Sequence, residues 1–152
     1  MKKEDLDMLD RKILNLIQEE FPLTERPFME IGRILGITEE EALTRINSLK
    51  KRGYIRRIGP VLERKNLKLI SFLCGVSVEE SSLEEVANEI NKHRGVTHNY
   101  EREGDPNLWF TITGENKEEI ESFLNQIEKR FGIKIHRFPE RRVFKIKTIF
   151  SV

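Results

Sequence analysis

With 152 residues the chain can hold one domain or two small ones. Hydrophobic residues make up 38% and charged residues 35%, and no run approaches the ~20 apolar residues of a membrane helix, so a globular protein with a heavily charged surface is expected. Residues 1–62 carry 12 Lys+Arg against 11 Asp+Glu, and residues 63–152 carry 15 against 15, so neither part has the basic excess that phosphate-backbone binding needs. The N-terminus lacks the apolar core of a signal peptide, and the lone Cys74 has no internal disulfide partner. A buried free thiol and a cytoplasmic location are the expectation.

The first predicted element is a helix in which Leu6, Leu9, Ile13, Leu14 and Ile17 recur on one face, ending before Pro22. Pro27 suits the first position of a second helix, with Phe28, Ile31, Ile34 and Leu35 inward and Gly36 as its stop. Thr38 and Glu41 have the spacing of a capping box for a third helix, built on Ala42, Ile46 and Leu49 and closed by Gly53. Residues Tyr54 to Ile58 then start an extended wing. Two helices joined by a tight glycine turn and followed by a wing predict a winged helix-turn-helix over residues 1–62.

Residues 63–152 alternate strand, helix, strand, strand, helix, strand. Ile70, Phe72, Cys74, Val76 and Val78 alternate along the first strand; Ser82 and Glu85 suggest a cap for a helix on Leu83, Val86 and Ile90, ended by Gly95. Two strands meet across Glu103-Gly104-Asp105-Pro106. Asn116 and Glu119 cap a helix that buries Ile120, Phe123, Leu124 and Ile127, and Val143 to Phe150 reads as the closing strand. This order predicts an α+β fold with a ferredoxin-like antiparallel sheet, two helices on one face, and the other face left for a partner or ligand.

Within that plan Val96-Thr97-His98-Asn99-Tyr100-Glu101-Arg102 stands out. Alternation puts His98, Tyr100 and Arg102 on one face and Thr97, Asn99 and Glu101 on the other, and neither set is apolar. An imidazole, a phenol and a guanidinium in a row supply a proton donor near neutral pH, a hydrogen-bond donor and a carboxylate clamp. A solvated edge strand would read the same way. The partner strand Asn107-Leu108-Trp109-Phe110-Thr111 carries the only Trp, with Leu108, Phe110 and Ile112 expected against the helices and Trp109 on the open face with Asn107 and Thr111.

The two-domain plan, with the opening Leu9-Asp10-Arg11-Lys12-Ile13-Leu14, resembles the Lrp/AsnC regulators. Phe21-Pro22-Leu23-Thr24-Glu25-Arg26-Pro27-Phe28, Gly53-Tyr54-Ile55-Arg56-Arg57-Ile58-Gly59, Val-Thr-His-Asn-Tyr and Asn-Leu-Trp-Phe-Thr, in that order, closely resemble the siroheme decarboxylase family instead. The resemblance implies an enzyme on a regulator scaffold, a carboxy-lyase that removes carbon dioxide from the C12 and C18 acetates of siroheme in alternative haem biosynthesis. It implies a paralogous sister subunit, in a heterodimer or a homodimer, and no cofactor beyond the iron tetrapyrrole substrate. Gly104 and Pro106 stand where many relatives carry a His and a Tyr.

Decarboxylating a pyrrole acetate requires an electron sink, which protonation of the ring creates. His98 is the candidate acid, and a core-edge histidine or an iron ligand is the alternative. Arg102 is the candidate clamp for a carboxylate that stays on the substrate, against a surface ion pair with Glu101 or Glu103. Tyr100 would orient His98 or donate to a carboxylate. Trp109 and Asn107 would line the tetrapyrrole face, although dimer packing explains Trp109 equally well. Arg56, Arg57, Arg26 and Arg141 are further carboxylate ligands to consider, with Arg137 and Arg142 behind them. His93 and His136 read as structural, and no spacing of His, Cys and acids suggests a metal site.

Two rival functions remain. One is a DNA-binding regulator, opposed by Glu39-Glu40-Glu41 at the N-terminal end of the third helix, where a recognition helix meets phosphates. The other is a tetrapyrrole-binding protein without chemistry. The open apolar sheet face also predicts at least a dimer through the C-terminal domain.

Overall fold

The computed structural model describes residues 6–145 and 149–152. It forms two compact units: residues up to Val61 with the segment from Lys145, and Leu62–Phe144. The segment from Lys145 thus belongs with the helices of the first unit.

In that first unit the helices are α1 (Met8–Glu19), α2 (Pro27–Leu35) and α3 (Glu39–Lys51). Their starts are set by local chemistry. The Asp7 carboxylate accepts from the Asp10 amide at 2.7 Å, Pro27 stands at the head of α2, and Thr38 Oγ1 accepts from the Glu41 amide at 3.1 Å. Gly36 closes α2 with φ 72°, a left-handed conformation that a side chain would oppose. Ile13, Ile31, Ala42, Ile46 and Leu49 form the core, with Ile55 and Val152 packed on it. Ile34 is half-exposed because Ile31 and Leu35 take the inward stripe of α2.

The sequence misses one buried charge. Asp10 is only 6% exposed and accepts from Arg45 Nη1 at 2.9 Å and Arg52 Nη1 at 3.2 Å. Burying a carboxylate without a partner is costly, so α3 reaches back to α1 with two cations. At the other end of the unit, the Asn15 and Gln18 side-chain amides of α1 each exchange hydrogen bonds with the main chain, Asn15 with Val152 and Gln18 with Phe150.

The expected wing is not a strand. Among the described residues, 54–61 carry no strand pairing; only Ile55 is buried, and Pro60 lacks the N–H that a ladder partner would need.

The second unit contains β1 (Ile70–Val76), α4 (Glu80–Asn91), β2 (Val96–Glu101), β3 (Leu108–Gly114), α5 (Lys117–Phe131) and β4 (Ile135–Pro139). The sheet order is β2-β3-β1-β4, antiparallel throughout, as the ferredoxin-like plan requires. Phe72, Cys74, Val76, Leu108, Phe110 and Ile112 face Leu83, Val86, Ile90, Ile120, Leu124 and Ile127 of the two helices. Burial pushes the Cys74 thiol up to about 12, so this cysteine is an inert core residue.

Two boundaries differ from expectation. Helix α4 starts at Glu80 after Glu79, so Ser82 lies inside its first turn and caps nothing. The closing strand is Ile135–Pro139, not Val143 to Phe150. Gly132 ends α5 in a left-handed conformation, and the short connection delivers Ile135 directly to the free edge of β1. Residues 143–145 and 149–150 are not in a strand, and 146–148 lie outside the described residues.

Candidate functional site

The sheet face away from α4 and α5 can be built rung by rung from the pairing. One rung is His98, Thr111, Leu73 and Phe138, and the next is Tyr100, Trp109, Gly75 and His136. Paired residues on neighbouring strands share a face. The alternate positions, Leu108, Phe110 and Ile135, are buried against the helices, so these two rungs point outward. Gly75 has a local purpose: a Cβ there would lie 3.1 Å from Trp109 Cζ3 and 3.2 Å from Pro106 Cγ. Its absence lets the indole lie over the sheet, where Trp109 stacks on Phe138 with ring centroids 5.9 Å apart, and Nε1 donates to the Pro106 carbonyl at 2.7 Å. Leu73, Tyr100 and Phe138 are each about half-exposed. The result is an outward aromatic platform.

His98 and Tyr100 stand together on the β2 edge of that platform, as the alternation predicts, with ring centroids 5.9 Å apart. The alternation is broken just before them. The register shifts between Val96 and His98, so Thr97 is an extra residue whose hydroxyl lies 3.0 Å from His98 Nδ1. Among the described residues nothing hydrogen-bonds Nε2. Arg102 follows the end of β2. Its guanidinium carbon is 5.9 Å from the Tyr100 ring centroid, and no carboxylate pairs with it among the described residues. The surface ion pair with Glu101 or Glu103 is not formed. Asn99, on the opposite face, donates to the Ala87 carbonyl at 3.2 Å and pins β2 to α4.

The other candidates have different surroundings. Asn107 is not a free group on the open face: its Oδ1 accepts from the Val78 amide at 2.9 Å and its Nδ2 donates to the Val78 carbonyl at 2.8 Å. The tight connection through Gly104 (φ 108°) and Pro106 sets Asn107 just before β3, beside the chain leaving β1, which is why its amide closes on the main chain. Arg137 lies on the helix side, bound by Glu121, Glu128 and Asn125. The Glu128 carboxyl is held below its usual range by the Arg137 guanidinium. Arg141 is exposed beyond β4, and Arg142 lies over the Phe144 ring at 4.8 Å. Arg26, Arg56 and Arg57 belong to the first unit. Arg26 pairs with Glu39, Arg57 donates to the Pro60 carbonyl at 3.4 Å, and Arg56 is exposed. His93 accepts from the Gly95 amide at 3.1 Å and packs on Phe123, a structural role as expected.

His136, Phe138 and Gly75 are additions that the sequence reading does not make. The signal was present, since His136-Arg137-Phe138 repeats the His-x-aromatic pattern of His98-Asn99-Tyr100, but it becomes visible only once Ile135–Pro139 is known to be a strand.

The fold and site define a two-domain protein of the Lrp/AsnC architecture. A transcriptional regulator of Neisseria meningitidis, solved as an L-Met complex, matches with a TM-score of 0.80 at 18% identity over 96% of each chain, a likeness of fold alone. Sequence is more specific. Residues 10–56 match the siroheme decarboxylase NirDL-like HTH domain and residues 70–145 the AsnC-like ligand binding domain. The siroheme decarboxylase alpha subunit of Desulfovibrio desulfuricans is 40% identical over 97% of this chain and 86% of its own length, and that of Oleidesulfovibrio alaskensis 41% over 100% and 93%. The chain belongs to the siroheme decarboxylase family. It also matches the crystal structure of siroheme decarboxylase NirDL in co-complex with an iron-uroporphyrin III analogue, with a TM-score of 0.67 and 34% identity over 93% of this chain and 47% of that one.

Proposed function

We propose that this chain is a siroheme decarboxylase subunit, a carboxy-lyase that removes carbon dioxide from the C12 and C18 acetates of siroheme to give 12,18-didecarboxysiroheme. One observation carries the reading. An imidazole, a phenol and a guanidinium line one edge of an outward aromatic face, in a chain about 40% identical to siroheme decarboxylase alpha subunits. The Trp109–Phe138 platform offers a macrocycle a flat apolar surface. Arg102 holds a carboxylate that is retained, because clamping the leaving one would stabilise the ground state.

The chemistry conserves protons simply. His98 Nε2–H protonates the pyrrole ring at the α-carbon next to the one that bears the acetate, which makes a cation conjugated to the acetate-bearing carbon. The bond between the methylene and the carboxylate breaks, its electron pair flows into the ring, and carbon dioxide leaves. The exocyclic methylene then takes a proton from solvent to become methyl, and the ring proton returns to His98. Tyr100 keeps the imidazole in place beside the substrate. The iron tetrapyrrole is substrate, and the chain supplies no cofactor of its own.

The subunit works in the cytoplasm with a paralogous sister subunit. Support for the pairing comes from relatives named as alpha, NirG and NirD subunits and from the outward apolar face. The buried lone thiol suits a reducing compartment. Among the described residues no helix is long and apolar enough to cross a membrane. The regulator reading is disfavoured by Glu39, Glu40 and Glu41, which occupy the first turn of α3. Anaerobic incubation of the chain and its sister subunit with siroheme, followed by mass spectrometry, tests the proposal. A product two carboxylates lighter is expected. Siroheme bound but unchanged in mass would make the protein a carrier.

A further inference from the structure

The second unit is built from two similar halves, β1-α4-β2 and β3-α5-β4, whose sheet has a pseudo-two-fold axis normal to it. Rotation about that axis exchanges the two outward rungs end for end. Rung one, His98–Thr111–Leu73–Phe138, falls on rung two, His136–Gly75–Trp109–Tyr100. His98 thus maps onto His136, Tyr100 onto Phe138, and Leu73 onto Trp109. The two edge strands carry the same His-x-aromatic pattern and present it to the same side, at diagonally opposite corners of the platform. Three inter-strand spacings of ~4.8 Å put the two edge strands ~14 Å apart.

Symmetry of this kind matters for a substrate that must lose two carboxylates from different pyrrole rings. A single fixed acid serves both only if the product of the first step leaves, turns and rebinds. A second imidazole at the opposite corner removes that requirement. The surroundings of His136 fit the role. It is exposed, its strand neighbours Ile135 and Arg137 are committed to the helix side, and Phe138 continues the aromatic surface. The equivalence is not complete, for the place of the phenol is taken by an apolar ring. The His136 corner therefore has a proton donor without a hydroxyl beside it.

Resting on the decarboxylase reading, we infer that His136 is a second proton donor, which serves one of the two acetates while His98 serves the other. The proton cycle is the same: Nε2–H to the ring α-carbon beside the acetate-bearing one, carbon dioxide lost as its bond electrons enter the ring, the ring proton returned, and one solvent proton taken up by the new methyl group.

The test uses the complex of the chain with its sister subunit, siroheme under anaerobic single-turnover conditions, and mass spectrometry of the tetrapyrrole with time. His136→Gln should carry out one decarboxylation at a rate close to wild type and slow the other ~100-fold, so that a monodecarboxylated species accumulates. His136→Ala should behave likewise and recover its slow step on addition of imidazole. His98→Gln should accumulate the complementary monodecarboxylated isomer. The inference is overturned if His136→Gln yields didecarboxysiroheme at the wild-type rate, or if both steps slow equally in a variant that assembles normally. Wild-type complex that leaves siroheme unchanged would instead count against the decarboxylase reading itself.

Discussion

Asn107 offers a sharp test of how the site is held, because the structure gives its side chain a different task from substrate binding. Asn107→Ala removes an acceptor 2.9 Å from the Val78 amide and a donor 2.8 Å from the Val78 carbonyl. Val78 is only 8% exposed, so water does not readily replace either bond. Two lost bonds at about 1 kcal/mol each, plus part of the desolvation penalty for the stranded main-chain groups, give a loss of about 2–4 kcal/mol. For a unit of this size that lowers Tm on the order of 10–20 °C. Asn107→Asp should lie between Ala and wild type, since a carboxylate still accepts from the Val78 amide but repels the carbonyl. The assay is thermal unfolding followed by fluorescence of Trp109, the only tryptophan in the chain and two residues from the substitution. Siroheme affinity of the folded variant should be unchanged. An unchanged Tm together with weakened siroheme binding would refute the clamp and make Asn107 a ligand.

Other substitutions probe the chemistry and the assembly. His98→Ala should fold normally, because His98 is an exposed side chain on an edge strand, yet lose ~100- to 10,000-fold in turnover; stopped-assay product analysis checks it. Arg102→Lys should raise the Kd for siroheme in a spectroscopic titration, since an ammonium does not reproduce the guanidinium fork. Trp109→Asp should abolish both assembly and activity, and sedimentation showing a monomeric, fully active wild type would remove the interface model. The Glu128 carboxyl is lowered from 4.5 by its bond to Arg137, so this bond stabilises the fold fully above that value and is lost as pH falls through the lowered one. Glu128→Gln should therefore be less stable than wild type at neutral pH and show a shallower acid limb in urea titrations below pH ~4.5.

Much of this protein is local, and local features are readable in the chain. Asp, Thr and Asn caps, Pro27 at a helix start, and Gly36 and Gly132 at helix ends act through the few residues beside them, so the helices lie where the sequence puts them, except at α4, where no capping side chain marks the start. The outward orientation of His98 and Tyr100 and the inward one of Leu108, Phe110 and Ile112 follow from the two-residue period of a strand. What pairs with what is a different kind of information. The apolar alternation of Val143 to Phe150 is stronger than that of Ile135–Pro139, yet the shorter segment forms β4 because the end of α5 delivers it to the open edge of β1, and its charged Arg137 is accommodated by Glu121 and Glu128 on the neighbouring helix. Asp10 reads as a solvated helix residue until Arg45 and Arg52 are brought across from α3. Asn107 reads as a ligand until Val78 arrives beside it. The residue types and their faces were fixed by local periodicity and capping. That His98 and His136, far apart in the chain, stand at opposite corners of one platform was decided by strand order and register, which depend on contacts between distant segments.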